Sequence, residues 1–229
     1  MTVRSFVVSP FAENTYVLSD GADAALVDPG TMTDAERRAV EAYIEGAGLT
    51  VRHLLLTHGH LDHVFGAAHF RRRYGATAAH GGWQLHPADD PVLAAASTVA
   101  AGYGVPMEAP PPAAHALAHG DAVVLGQTEL QVRHAPGHSP GSVVFYSAAD
   151  GVVIGGDVLF AGSVGRTDLP GGDTDTLLAS IRRELYTLPD ATTVYPGHGP
   201  ATTVGEEKAT NPFVRGERPG APTPGRDVS

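Results

Sequence analysis

The chain has 229 residues, enough to bury a sizeable core, and 42% hydrophobic against 17% charged residues makes it an ordinary globular composition. Acidic residues outnumber basic ones 25 to 15, for a formal net charge of −10, and Arg71-Arg72-Arg73 is the one basic cluster, so nucleic acid is not an expected partner. The absence of cysteine excludes disulfides, thiolate metal ligands and a cysteine nucleophile.

In chain order, "RSFVV" and "NTYVL" are short β-branched or aromatic runs separated by a turn, and "AALVDPG" reads as a third strand with a Pro-Gly stop. The segment "TMTDAERRAVEAYIEGAG" predicts a helix. Thr33 and Glu36 fit a capping box, Ala39, Val40, Tyr43, Ile44 and Ala47 share one face, and Gly48 is the stop. "VRHLLLTH" is apolar enough for a strand buried on both faces. A helix is expected around "VFGAAHFRRRYG", then a short strand near Ala76–Ala79. Residues 82–105 read as helical in part, and the proline- and alanine-rich stretch to residue 121 as a loop between two halves. Strands resume in "AVVLG", "TELQVRHA", "GSVVFYS" and "GVVIGGD". A helix at about Asp173–Leu185 carries Leu177, Leu178, Ile181 and Leu185 on one face, and "TTVYPGHG" is the last strand. The tail from Gly216 is expected to be disordered. Strands flanked by helices in both halves imply an α/β protein of two sheets packed together with helices outside. No run reaches transmembrane length, and Ser9-Pro10 interrupts the first apolar stretch, so no membrane partner and a cytoplasmic location are expected.

The chemistry lies at strand ends. "THGHLDH" holds His58, His60, Asp62 and His63, while His138 sits in "APGHSPGS", Asp157 in "VIGGDVLF" and His198 in "VYPGHGP", each beside glycines that let a loop turn sharply. Extended residues two apart point the same way, so His58 and His60 can bind one ion together, while Asp62 and His63 face a second position. Five histidines and two aspartates without sulfur suit zinc, iron or manganese in a catalytic rather than a structural site. The other seven histidines have no such context. Asp28 reads as a turn residue, with support of the histidine loop as its functional alternative, and Ser139 and Ser142 as turn and cap groups rather than nucleophiles. Trp83 and Tyr103 lie in an irregular stretch suited to a lid.

"THGHLDH" resembles the H-x-H-x-D-H signature of the metallo-β-lactamase superfamily, and His138, Asp157 and His198 match its remaining ligand motifs in order. "GSVGRTDLPGGD" and "YPGHGPATTVGEEKATNPF" are similar to the short glyoxalase II-like branch. The resemblance implies one domain over residues 1–215, an αββα sandwich with two divalent metals at one edge, zinc first and iron or manganese as alternatives. It implies His58, His60 and His138 on one metal, Asp62, His63 and His198 on the other, and Asp157 shared between them. Catalysis would then belong to Asp62 and Asp157 with a metal-bridging hydroxide, acting on a small-molecule thioester of the S-(2-hydroxyacyl)glutathione type. Arg166 and Thr167 are the candidate substrate contacts. The stretch after His198 does not carry the C-terminal helical segment with which longer glyoxalase II enzymes hold glutathione, so those contacts are not transferred. Persulfide dioxygenases, with a single iron on the equivalents of His58, His138 and Asp157, share the same motifs and are the rival reading; a less specific ester or lactone hydrolase is the third. The oligomeric state is not readable.

Overall fold

The computed structural model describes residues 1–215; the expected disordered tail lies outside the described residues. The first half runs β1 (Thr2–Val8), β2 (Glu13–Asp20), β3 (Asp23–Val27), α1 (Asp34–Gly46), β4 (Thr50–Leu55), α2 (Leu61–Val64), α3 (Ala67–Tyr74), β5 (Trp83–Leu85), α4 (Asp90–Gly102) and β6 (His115–Ala116). The second half runs β7 (Ala122–Leu125), β8 (Thr128–His134), β9 (Val143–Ser147), β10 (Val152–Gly156), β11 (Leu159–Phe160), β12 (Ser163–Val164), α5 (Thr174–Ser180), β13 (Thr193–Pro196), β14 (Thr202–Thr203) and α6 (Val204–Thr210). One mixed sheet has the order β1-β2-β3-β4-β5-β6 and the other β14-β13-β10-β9-β8-β7, with β11 and β12 forming a small hairpin.

Strand alternation explains how the layers stack. Along β2, Tyr16 and Leu18 face the second sheet while Val17 faces the helices. Leu54 and Leu56 turn toward α1, α3 and α4, and Leu55 turns into the inter-sheet core with Phe145 and Ile154. On the far side, Val144 and Val153 pack against Leu177, Ile181 and Leu185. Each strand with two buried faces must be covered by something apolar on both, and the result is the αββα sandwich. Fully burying a side chain such as Leu55 or Phe145 contributes about 1.5–3 kcal/mol.

The capping box of α1 forms as expected. The Thr33 side chain accepts the Glu36 N–H, and the Glu36 carboxylate accepts the N–H groups of Thr33, Met32 and Ser9, each at 2.8 Å. Four expectations change. Residues 76–79 form no strand: the N–H groups of Thr77 and Ala78 fold back onto the Tyr74 carbonyl, and the strand comes later, at Trp83–Leu85, where three buried side chains run parallel to β4. His115 and Ala116 interrupt the expected loop by pairing with β5. The expected helix ending at Leu185 is α-helical only to Ser180 and continues as a π-turn over Ile181–Leu185. The chain also does not stop building after β13, because β14 pairs with it and α6 follows, capped by Thr203. Both pieces are too short to show a period.

Candidate metal centre

The histidine and aspartate loops converge at one edge of the sandwich. β4 ends at Leu55, and the next residues deliver His58 and His60 before α2 carries Asp62 and His63 on its first turn. His138 follows β8, Asp157 follows β10 and His198 follows β13. His58, His60 and His138 form one group whose ligand atoms all lie within 4.8 Å of one another, and Asp62, His63 and His198 form a second. His60 Nδ1 and His138 Nε2 are 2.8 Å apart, with His58 Nε2 at 3.2 Å from the same His138 nitrogen. In the second group His198 Nε2 lies 3.1 Å from Asp62 Oδ2. Asp157 stands between the two. Its Oδ2 is 3.6 Å from His138 Nε2 and 3.6 Å from His198 Nε2, and its Oδ1 is 3.3 Å from His63 Nε2.

Four imidazoles are oriented by their outer nitrogen, as metal-binding histidines commonly are. The Nδ1 of His138 meets the Arg166 carbonyl at 2.8 Å, that of His198 the Phe11 carbonyl at 3.1 Å, and that of His63 the Asp28 carboxylate at 3.1 Å. His58 Nδ1 lies 3.0 Å from the Thr57 hydroxyl, which itself donates to Asp28 at 2.5 Å. Each acceptor holds the proton on Nδ1 and leaves the Nε2 lone pair aimed inward. Asp28, near His58 and His63, spends its oxygens on the Thr57 N–H, the Thr57 hydroxyl and His63, so it is a brace rather than a ligand. Its φ of 47° bends the chain after β3 and turns that carboxylate under the histidine loop.

The residues fit divalent cations. His63 Nε2 and Asp157 Oδ1 are buried and have no hydrogen-bond partner, a costly state that a cation between them relieves. The electrostatics agree. Burial alone lowers the basicity of His63, yet Asp157 and Asp62 overcome it and push its pKa well above the ordinary value. The site attracts positive charge at that nitrogen. Burial and the neighbouring imidazoles of His63 and His138 push His58 well down. The glycines are needed for close approach: a Cβ on Gly197 would overlap Asp157 Oδ1, and one on Gly137 would overlap the backbone of Leu177.

Sequence reasoning missed two residues. Asp89, just before α4, accepts from Gly59 N–H, Gly141 N–H and the Ser139 hydroxyl, so it joins the first and second ligand loops. Glu13 is fully buried 3.8 Å from His63, and burial pushes its carboxyl well up. Glu13 sits at the start of a strand run with no ligand motif around it, and Asp89 in a stretch that reads as helical only in part. Ser139 and Ser142 bond each other at 2.7 Å and serve the turn. Arg166 lines the cleft above the cluster, but Thr167 does not; its hydroxyl is shared with Thr174 at 2.6 Å. Trp83 forms no lid. It is core, with its indole N–H on the Ala67 carbonyl. Tyr103 does line the cleft, and the other seven histidines stay outside both ligand groups.

Residues 8–198 match the sequence profile of the metallo-beta-lactamase superfamily. The chain belongs to that superfamily. It is 39% identical to a Bacillus subtilis protein named probable metallo-hydrolase YqgX, over 94% of this chain and 99% of that one. It is 36% identical to hydroxyacylglutathione hydrolase GloC of Haemophilus influenzae, over 93% and 98% respectively. Among solved superfamily folds, BLEG-1 B3 metallo-beta-lactamase superposes with a TM-score of 0.82 at 36% identity, covering 93% of this chain and 99% of that one. TTHA1623 in a di-iron-bound form gives 0.81 at 39%, covering 93% and 100%. ETHE1 from Myxococcus xanthus gives 0.73 at 30%, covering 95% and 86%. Among the described residues no helix is long and apolar enough to cross a membrane.

Proposed function

We propose that this metal-dependent hydrolase of the metallo-beta-lactamase superfamily cleaves thioesters of the S-(2-hydroxyacyl)glutathione type. The observation that carries the proposal is Asp157, whose carboxylate reaches both ligand groups at the floor of an open cleft of about 490 Å³. Similarity to GloC supports the acyl-thioester class. His58, His60 and His138 would hold one divalent cation, Asp62, His63 and His198 the other, and Asp157 both; zinc is the first expectation for this donor set, with iron or manganese equally able to use it. Bound there, the pair supplies a water nucleophile usable at neutral pH and a Lewis acid for the carbonyl oxygen.

The chain's own groups do the rest. Burial alone would raise the carboxyl of Asp62, but His63 and His198 hold it below its ordinary value, so it is an anion at neutral pH. It lines the cleft and is the group suited to take a proton from the attacking water and return it to the departing sulfur. The Asp28 and Arg166 acceptors keep His63 and His138 in one tautomer throughout.

The test is to count zinc, iron and manganese in the purified protein and to assay S-lactoylglutathione by thiol release. About two metals per chain with thiol release supports the proposal. One iron per chain, no thiol release, and oxygen consumption on glutathione persulfide would overturn it in favour of an oxygenase.

A further inference from the structure

The cleft above the ligand groups has one wall that the fold alone does not explain. That wall is α4. No Asp, Glu, Lys or Arg lies between Asp90 and Glu108. Leu93, Ala96 and Ala100 turn into the core, as one face of a helix must. Val92, Ala95, Val99 and Tyr103 recur three or four residues apart along a second face, and all four line the cleft. Val99 is 44% exposed and Tyr103 67%. The solvent side of a surface helix is ordinarily polar, so an apolar stripe that leads down to a ligand cluster marks contact with an apolar ligand. Leu169 and Pro170 stand on the other side.

Charge points the same way. Glutathione brings two carboxylates, for which cationic side chains are the strongest partners. Among the described residues Arg166 is the one Lys or Arg lining the cleft. Asp168 already holds it through two bonds of 2.7 and 2.8 Å.

We propose that, among 2-hydroxyacyl thioesters, this cleft favours an uncharged carrier thiol over glutathione itself, with an apolar stem that lies along Val92, Ala95, Val99 and Tyr103. This rests on the thioesterase reading above, in which the 2-hydroxyacyl group is small and leaves most of the cleft to the thiol. In the reaction the carbon–sulfur bond breaks and the water oxygen forms the new carbon–oxygen bond. One water proton passes to the sulfur, and the products are the 2-hydroxy acid and the free thiol.

The experiment compares lactoyl thioesters of ethanethiol, butanethiol, hexanethiol and glutathione on the metal-loaded protein. kcat/KM is expected to rise about fourfold per buried methylene. The hexanethiol ester is expected to exceed the glutathione ester in kcat/KM. Val99→Arg is expected to reverse that order through KM, with kcat little changed; Ala95→Arg, at another exposed position, is the second variant. Binding is read separately by calorimetry. 1-(Hexylthio)propan-2-ol, which cannot be hydrolysed, is compared with S-(2-hydroxypropyl)glutathione on both metal-loaded and metal-free protein, and the alkyl thioether is expected to bind more tightly to both. Equal or better hydrolysis and binding of the glutathione compounds overturns the apolar-thiol proposal and leaves the thioesterase reading standing. If none of the four esters is cleaved, the thioesterase reading fails, and the calorimetry alone decides whether the α4 wall prefers the apolar partner.

Discussion

Asp89 accepts the backbone N–H of Gly59 at 2.7 Å, although the two lie on different elements thirty positions apart. Gly59 sits between His58 and His60, and the other carboxylate oxygen takes Gly141 N–H at 2.6 Å, three residues after His138. One buried side chain therefore sets the distance between two ligand loops. Asp89→Ala leaves the two backbone donors without an acceptor, while the Ser139 hydroxyl can still donate to Ser142. Unfolding free energy should fall by about 2 kcal/mol or more, since each buried orphan costs about 1–3 kcal/mol. Denaturant titration checks this, and unchanged stability would show that water replaces the carboxylate.

Asp28→Asn tests the brace under the second ligand group. Asparagine tolerates the positive φ of this position, so the turn should survive. What is lost is the anion that orients His63 and anchors Thr57 beside His58. Metal affinity should drop about 10–100-fold with little change in the fold of the chelated protein. Competition with a chromophoric chelator measures the first, and circular dichroism the second.

Gly197→Ala needs no unusual backbone angle, yet its Cβ would overlap Asp157 Oδ1 and come within 2.7 Å of His63 Cε1. The carboxylate shared between the two groups must move. The expected result is a fall in metals bound per chain at equal protein folding, read by elemental analysis after gel filtration. A full metal complement in this variant would count against Asp157 as the shared ligand.

Glu36→Gln addresses stability away from the centre. Burial opposes ionisation of Glu36, but the N–H groups of Thr33, Ser9 and Met32 prevail and hold it below its ordinary 4.5. A carboxyl lowered on folding contributes stability above its unfolded pKa and loses it as pH falls through the folded one. The wild type should therefore exceed the variant by about 1 kcal/mol above about pH 4.5, solvent screening keeping the figure small. The difference should fade below that pH. Thermal unfolding at several pH values measures it; a gap that persists at about pH 2 would place the effect in the side chain's packing instead.

The capping box at Thr33 and Glu36, the doubly buried β4 and the seven candidate ligand positions could all be read from the chain by itself. Each is a local matter: a side chain and a backbone three residues away, an unbroken apolar run, or a histidine beside glycines at a strand end. Strands flanked by helices in both halves pointed to two packed sheets with helices outside, and the family resemblance implied the αββα sandwich. Asp89 and Glu13 could not be read this way, because their partners lie far along the chain, and for Asp28 the brace stood only as the alternative to a turn residue. The displaced strand at Trp83–Leu85 has the same cause, since a three-residue strand is decided by its neighbour β4 and not by its own pattern. The two faces of α4 show the division most clearly. In the sequence this stretch reads as helical only in part, with no apolar period that singles out one face for the core. Only the tertiary packing takes Leu93, Ala96 and Ala100 inward and leaves Val92, Ala95, Val99 and Tyr103 facing the cleft, because one helix cannot be enclosed by a single sheet.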